Sequence, residues 1–259
     1  MPLNQIAIVA LVALAAVSPG SSSFAQNALP SSPYEARLDA LVAARDTVAL
    51  GRAIFPDKPD AETGTRAAAW LKKQQLSDGG STLIAVLYSA LLWQAAQQAR
   101  EPDKARLSRA ATGQYLLARL LVSTEGLQCR DATAPAGGSA SVERQLGVVR
   151  EYLSVLPEAD RKSLLADAFK TLLATFPMRE NDVWLCSLGT EQMRKYLEKH
   201  PVPGEPGTTV TIENDPSILP EFVPYADWQA RRRARLDATA EIVGTGPLTD
   251  YGDAKHRLK

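Results

Sequence analysis

The chain has 259 residues, with 29 Lys plus Arg against 29 Asp plus Glu and a formal net charge of zero. Apolar residues supply 45% and charged residues 22%, a globular balance that excludes collagen-like, disordered and multi-span membrane chains. Balanced charge argues against a nucleic-acid partner, which calls for a basic excess, and a chain with only 2 His and 2 Cys has little material for zinc clusters or histidine-based catalysis.

Ile6 to Val17 is an unbroken apolar run. It is shorter than the ~20 apolar residues needed to span a bilayer core, and it matches the hydrophobic region of a secretory signal. Pro19-Gly20 and a Ser-rich stretch follow. Ser23-Phe24-Ala25 then sets small residues at the cleavage-site positions. Residues 1–25 are therefore expected to be a signal peptide cut before Gln26, although Met1 to Gln5 carries no Lys or Arg. No cysteine follows to take a lipid anchor. Export leads to the periplasm or beyond. Residues 26–32 read as a linker, and no later stretch is long and apolar enough to span a membrane.

Ala and Leu dominate the rest, and both are strong helix formers. Ser32-Pro33-Tyr34-Glu35 is a capping box with Pro at the first helical position. Asp46 caps a second short helix that Pro56 stops. A third runs from about Asp60 to Gln75 and ends near Ser77-Asp78-Gly79-Gly80. Leu83 to Trp93 is apolar nearly all round, which predicts a helix buried on most sides. The next helix follows Glu101-Pro102 to about Ser123, with Leu107, Ala111, Leu117, Ala118 and Leu121 on one face, and Gly126 breaks it.

Residues 124–138 read as a Gly/Ala/Pro/Thr loop holding Cys129. Helix six is expected to start at Ser139 or Ser141. Pro157 opens helix seven, whose apolar stripe ends at Pro177. A short helix from Thr190 to His200 follows a loop with Cys186. Prolines at 201, 203, 206, 216, 220 and 224 exclude helix through most of 201–225. That stretch reads as an extended arm, with a small strand at Thr209 to Ile212. A charged helix over 226–243 and a flexible tail over 244–259 complete the chain. The fold class is all-α: an irregular antiparallel bundle of about seven or eight helices over 33–200, with solenoid-like helix pairs as the alternative.

Cys129 and Cys186 are expected to pair, because exported chains meet an oxidising compartment. The bridge would set Arg130 and Asp131 beside Arg179, Asp182 and Trp184. That gathers polar loop residues and one Trp into a candidate binding patch, since binding residues often sit on loops fixed by a scaffold. The plainer reading is helix capping and surface ion pairs. Arg231, Arg232, Arg233 and Arg235 form a basic cluster. It is either a solvated helix face or a docking element for an acidic partner or anionic headgroups.

Neither a phosphate-binding loop, nor a dinucleotide fingerprint, nor HExxH, nor a GxSxG elbow occurs, so no cofactor or metal is expected. The leading expectation is a non-enzymatic binding or scaffold protein of the bacterial cell envelope that contacts a partner protein through the arm. The alternatives are an envelope hydrolase working through carboxylates and a small-ligand binder with a pocket near Trp70, Trp93 and Tyr115. The signal-peptide reading has a direct check: N-terminal sequencing of the exported protein returns Gln26 first, and an intact Met1 refutes cleavage.

Overall fold

The computed structural model describes residues 32–58, 60–201, 215 and 217–244. The signal peptide, nearly all of the linker, the strand expected at Thr209 to Ile212 and the tail from residue 245 onward lie outside them. The described residues are predominantly helical and hold ten α-helices and no strand. None of these helices is long and apolar enough to cross a membrane.

The first three helices begin where their caps predict. Helix α1 spans Pro33–Ala43, and Ser32 and Glu35 exchange both bonds of the capping box. Helix α2 (Thr47–Ile54) takes its cap from Asp46, whose side chain accepts from the Ala49 N–H at 2.8 Å. Helix α3 (Ala61–Ser77) is capped by Asp60, and α4 (Thr82–Gln98) by Ser81. Helix α5 runs over Asp103–Glu125. It ends at Gly126, its C-cap, as expected, and the chain passes through a 3-10 turn, Gly126–Gln128, that leads to Cys129.

Two expected boundaries are corrected. Helix α6 spans Ala134–Val155, so it opens several residues before Ser139. Pro135 sits in its first turn, where a missing N–H costs nothing. Gly137 and Gly138, which resemble loop residues in sequence, lie inside this helix because a neighbour leaves no room for a side chain. A Cβ on Gly137 would strike the Leu188 carbonyl, and one on Gly138 would strike the Leu185 side chain. The Cys186 segment is likewise not a plain loop but ends a four-residue helix, α8 (Val183–Cys186). Between them lies α7 (Glu158–Thr175), followed by the turn Phe176–Met178. Helices α9 (Thr190–Lys199) and α10 (Tyr225–Val243) close the set.

The core falls into two clusters. One joins Leu38, Leu50, Ile54, Trp70, Leu71 and Leu107 from α1, α2, α3 and the start of α5. The other gathers Leu121, Val149, Phe169, Leu172, Leu185 and Leu236 from α5 to α10. Helix α4 serves both: Ile84, Leu87 and Leu91 face the first and Ala85 and Val86 the second. That division accounts for an apolar run with no polar face. The aromatics singled out from sequence are plain core. Trp70 bonds Asp39 at 2.8 Å, Trp93 meets Tyr152 edge-on, and Tyr115 is buried.

The described part of the arm packs on its own domain. The Val223 N–H donates to the Gln128 carbonyl at 2.9 Å and the Arg130 N–H to the Glu221 carbonyl at 3.0 Å. Nearer α9, Lys199 and His200 both reach the Asp215 carboxylate at 2.8 Å. These bonds, with two from Ser217, hold that carboxyl well below its usual range.

Cys129 and Cys186 place their Cα atoms 5.1 Å apart, with their sulfurs at bonding distance. Their sequence separation of 57 sets the size of the loop they close. A closed loop of that length is worth roughly 4 kcal/mol through the unfolded chain. The double substitution Cys129→Ser with Cys186→Ser should lower the urea-unfolding free energy by about that amount. An unchanged midpoint against the oxidised parent contradicts it.

Candidate functional site

Helix α3 ends at Asp78-Gly79-Gly80. Gly79 adopts a left-handed φ of 71°, and the Gly80 N–H closes the helix end on the Gln74 carbonyl at 2.8 Å. Met178 lies so close to Gly79 that any Cβ there would strike its backbone. Only glycine meets both demands. The α3–α4 turn is thereby pressed against the chain that follows α7.

Two charged residues of that chain lock the contact. The Arg179 Nη1 atom donates to the carbonyls of Gly79 (3.0 Å) and Gly80, and its Nη2 donates to Thr175 Oγ1 at 2.6 Å. Asp182 faces two helix starts at once. Its Oδ2 accepts from the Thr82 N–H at 2.7 Å, and its Oδ1 from the Leu185 N–H at 3.0 Å. It therefore caps α8 and adds a second acceptor at the N-terminus of α4, where backbone donors lack helical partners.

Beneath them lies a buried ion pair. Arg232 of α10 is fully buried and donates to Glu125, itself 2% exposed. The Arg232 guanidinium also stacks on Phe176, 3.5 Å from the ring centroid, and approaches Trp228 at 4.8 Å. Both arginines and both acids feel one another electrostatically. Burial pushes the Glu125 carboxyl up, against the pull of Arg232 and Arg179. It also brings Arg179 down to about 10, which leaves it charged at neutral pH.

These groups stand at one side of a cleft of about 510 Å³. Its opposite wall is the α1–α2 corner, with Leu41 and Val42, and Leu83 and Trp184 supply further apolar surface. Arg179, Asp182 and Glu125 all line it. Arg179 Nε, the whole Gln75 amide and Thr82 Oγ1 are buried without a hydrogen-bond partner among the described residues.

Of the patch expected from sequence, Arg179, Asp182 and Trp184 meet in the cleft. Arg130 and Asp131 do not line it. Arg130 is exposed and pairs with Glu221 at 3.4 Å. Asp131 accepts from the N–H groups of Thr133 (2.9 Å) and Glu191 (2.8 Å), capping α9. Partial burial pushes its carboxyl up, but these bonds outweigh that and hold it below its ordinary value of 3.8. The docking-helix reading needs a correction at one residue. Arg232 faces the core, while Arg231, Arg233 and Arg235 are exposed. Glu125 was missed, yet it carries a signal: it continues the Ala118, Leu121, Val122 stripe at helical spacing, so a charge falls on a buried face.

No family model, curated protein or solved structure matches the chain. Among the described residues no group of three or more His, Cys, Asp or Glu could hold a metal ion.

Asp182→Ala strips two buried N–H groups of their acceptor and should destabilise the chain by about 2 kcal/mol in denaturant titration. Asp131 acts in the opposite way to a raised group: its contribution is present above the ordinary carboxyl value and lost as pH falls below that value and through the lowered folded one. Asp131→Asn should flatten that acid-side loss in thermal unfolding scans taken from pH 6 to pH 2.

Proposed function

We propose that the chain is an exported, non-enzymatic helical binding protein of the bacterial cell envelope, and that the cleft beside Trp184 is where it binds. The observation that carries this reading is how the cleft is held. Its walls are tied by Arg179 and Asp182 across about a hundred residues of sequence, independent of any ligand. A pre-formed cleft loses less entropy on binding than one assembled on contact.

The chemistry of the walls supports the same reading. Leu41, Leu83 and Trp184 offer apolar surface, and the unpartnered Nε of buried Arg179 offers a donor. Apolar surface set beside polar anchors is a combination that ligand sites use, and Arg45, Asp78 and Glu180 add charged groups to these walls. Residues 217–224 dock on their own domain, which favours the cleft over this part of the arm as the binding surface.

One observation favours a hydrolase instead: Glu125 lines the cleft with its carboxyl pushed up by burial, as suits a general acid. Against it, Glu125 already holds Arg232, and both Asp182 oxygens accept backbone N–H groups. Neither of these two carboxylates is left to activate water, and the other two on the walls, Asp78 and Glu180, are exposed rather than buried.

The test is photocrosslinking in intact envelopes. A photoreactive residue at Val42, 40% exposed on the cleft, should give a discrete adduct that weakens with Trp184→Ala. The same probe at Val148, 52% exposed on α6, should give none. Identical patterns from both positions count against the cleft. Release of soluble fragments from cell-wall glycan by the purified chain, lost in Glu125→Gln, would transfer the assignment to the hydrolase.

A further inference from the structure

A second groove lies away from the cleft, where the end of α5, the start of α6 and α10 meet. It encloses about 410 Å³. Its polar side chains are Arg119, Arg235, Ser123 and Ser139, and no carboxylate lines it. Every polar side chain there can donate a hydrogen bond.

The lining itself carries two positive charges and no negative one. Glu143, outside the lining, accepts from Arg119 and from the Tyr115 hydroxyl at 2.8 Å, and pairs with Arg150 at 3.3 Å. That single carboxylate is shared by two arginines. Arg235 is exposed and has no ion-pair partner among the described residues. Its charge is uncancelled, and that of Arg119 is cancelled only in part.

The hydroxyls are equally uncommitted. Helical Ser and Thr side chains usually bond back one turn, as Thr112, Thr124, Thr175 and Ser187 do here. Ser123 and Ser139 make no such bond among the described residues. Val122, Leu127 and Pro135 form an apolar floor between the two arginines.

We propose that this groove is a binding site for a phosphate monoester. The dianion fits a lining of two guanidinium groups and no carboxylate, and guanidinium groups match phosphate oxygens in paired hydrogen bonds. The hydroxyls of Ser123 and Ser139 supply further donors, and the apolar floor takes the organic part of the ester. The site uses only one member of the exposed arginine cluster, joined to a partner from α5 that is distant in sequence. It is independent of the Trp184 cleft and stands or falls separately.

The test is calorimetric titration of the full chain with phenyl phosphate, inorganic phosphate and benzoate at fixed ionic strength. Phenyl phosphate should bind saturably, and more tightly than either of the others. Arg235→Ala should weaken it by about tenfold. Arg231→Ala removes the same charge from the same helix outside the groove and should change it less than about twofold. Both residues are exposed, so neither change threatens the fold. Equal losses in the two variants would reduce the effect to general charge attraction and overturn the site. So would an absence of saturable binding, or an unchanged Arg235→Ala. Benzoate binding as tightly as phenyl phosphate would overturn the dianion assignment, and inorganic phosphate doing so would overturn the role of the apolar floor.

Discussion

Placing Arg232 in the interior constrains everything around it. A guanidinium stripped of water costs several kcal/mol unless it is paired and its remaining surface is covered. The chain meets this with a carboxylate from the end of α5 and aromatic rings from Phe176 and Trp228. Each partner comes from a different stretch of sequence. The pair thus ties helix α10 to the α5 terminus and to the turn after α7. Arg179 and Asp182 carry the network outward to the α3–α4 turn. Removing one partner would leave a buried charge uncompensated, which costs far more than the intact pair gains over apolar residues of equal volume.

The second constraint is the position of α4. A helix that faces two cores has no side left for water. Its sequence must be apolar all round, and its first turn must find its backbone partners inside the protein. Asp182 supplies one of them to Thr82. The cap and the hydrophobic run are thus two parts of one solution. Burying the start of α4 is tolerable only because a carboxylate arrives from a point a hundred residues away.

Much of this was legible in the sequence, and the failures have physical reasons. Ser32, Asp46 and Asp60 announce helix starts, because capping is local chemistry between residues three apart, whereas the Ser81 cap of α4 emerges only in the structure. The all-round apolar character of 83–93 announces a central helix. Gly137 and Gly138 mislead, because a glycine chosen to admit a neighbour reads the same as one chosen for a turn. Of the five residues of the candidate patch, three share the cleft and two do not. Arg179, Asp182 and Trp184 converge because the turn after α7 is pressed onto Gly79. Arg130 and Asp131 leave the patch because the chain turns at Cys129 toward α9 and residues 221–223. Glu125 and Arg232 each sit on an apolar stripe at helical spacing. Neither stripe says which distant charge it will meet, and that information exists only in three dimensions.

One junction has a consequence for the chain in salt. Lys199 and His200 at the close of α9 both hold Asp215. Both side chains are about half exposed. Attraction between exposed charges is screened within about 8 Å at physiological ionic strength, whereas buried pairs are screened much less. Added salt therefore weakens this clasp at the end of α9 while leaving the buried Glu125–Arg232 pair in place. Ionic strength separates the two kinds of charge pair that the chain uses: one fastens its surface and the other sits in its interior.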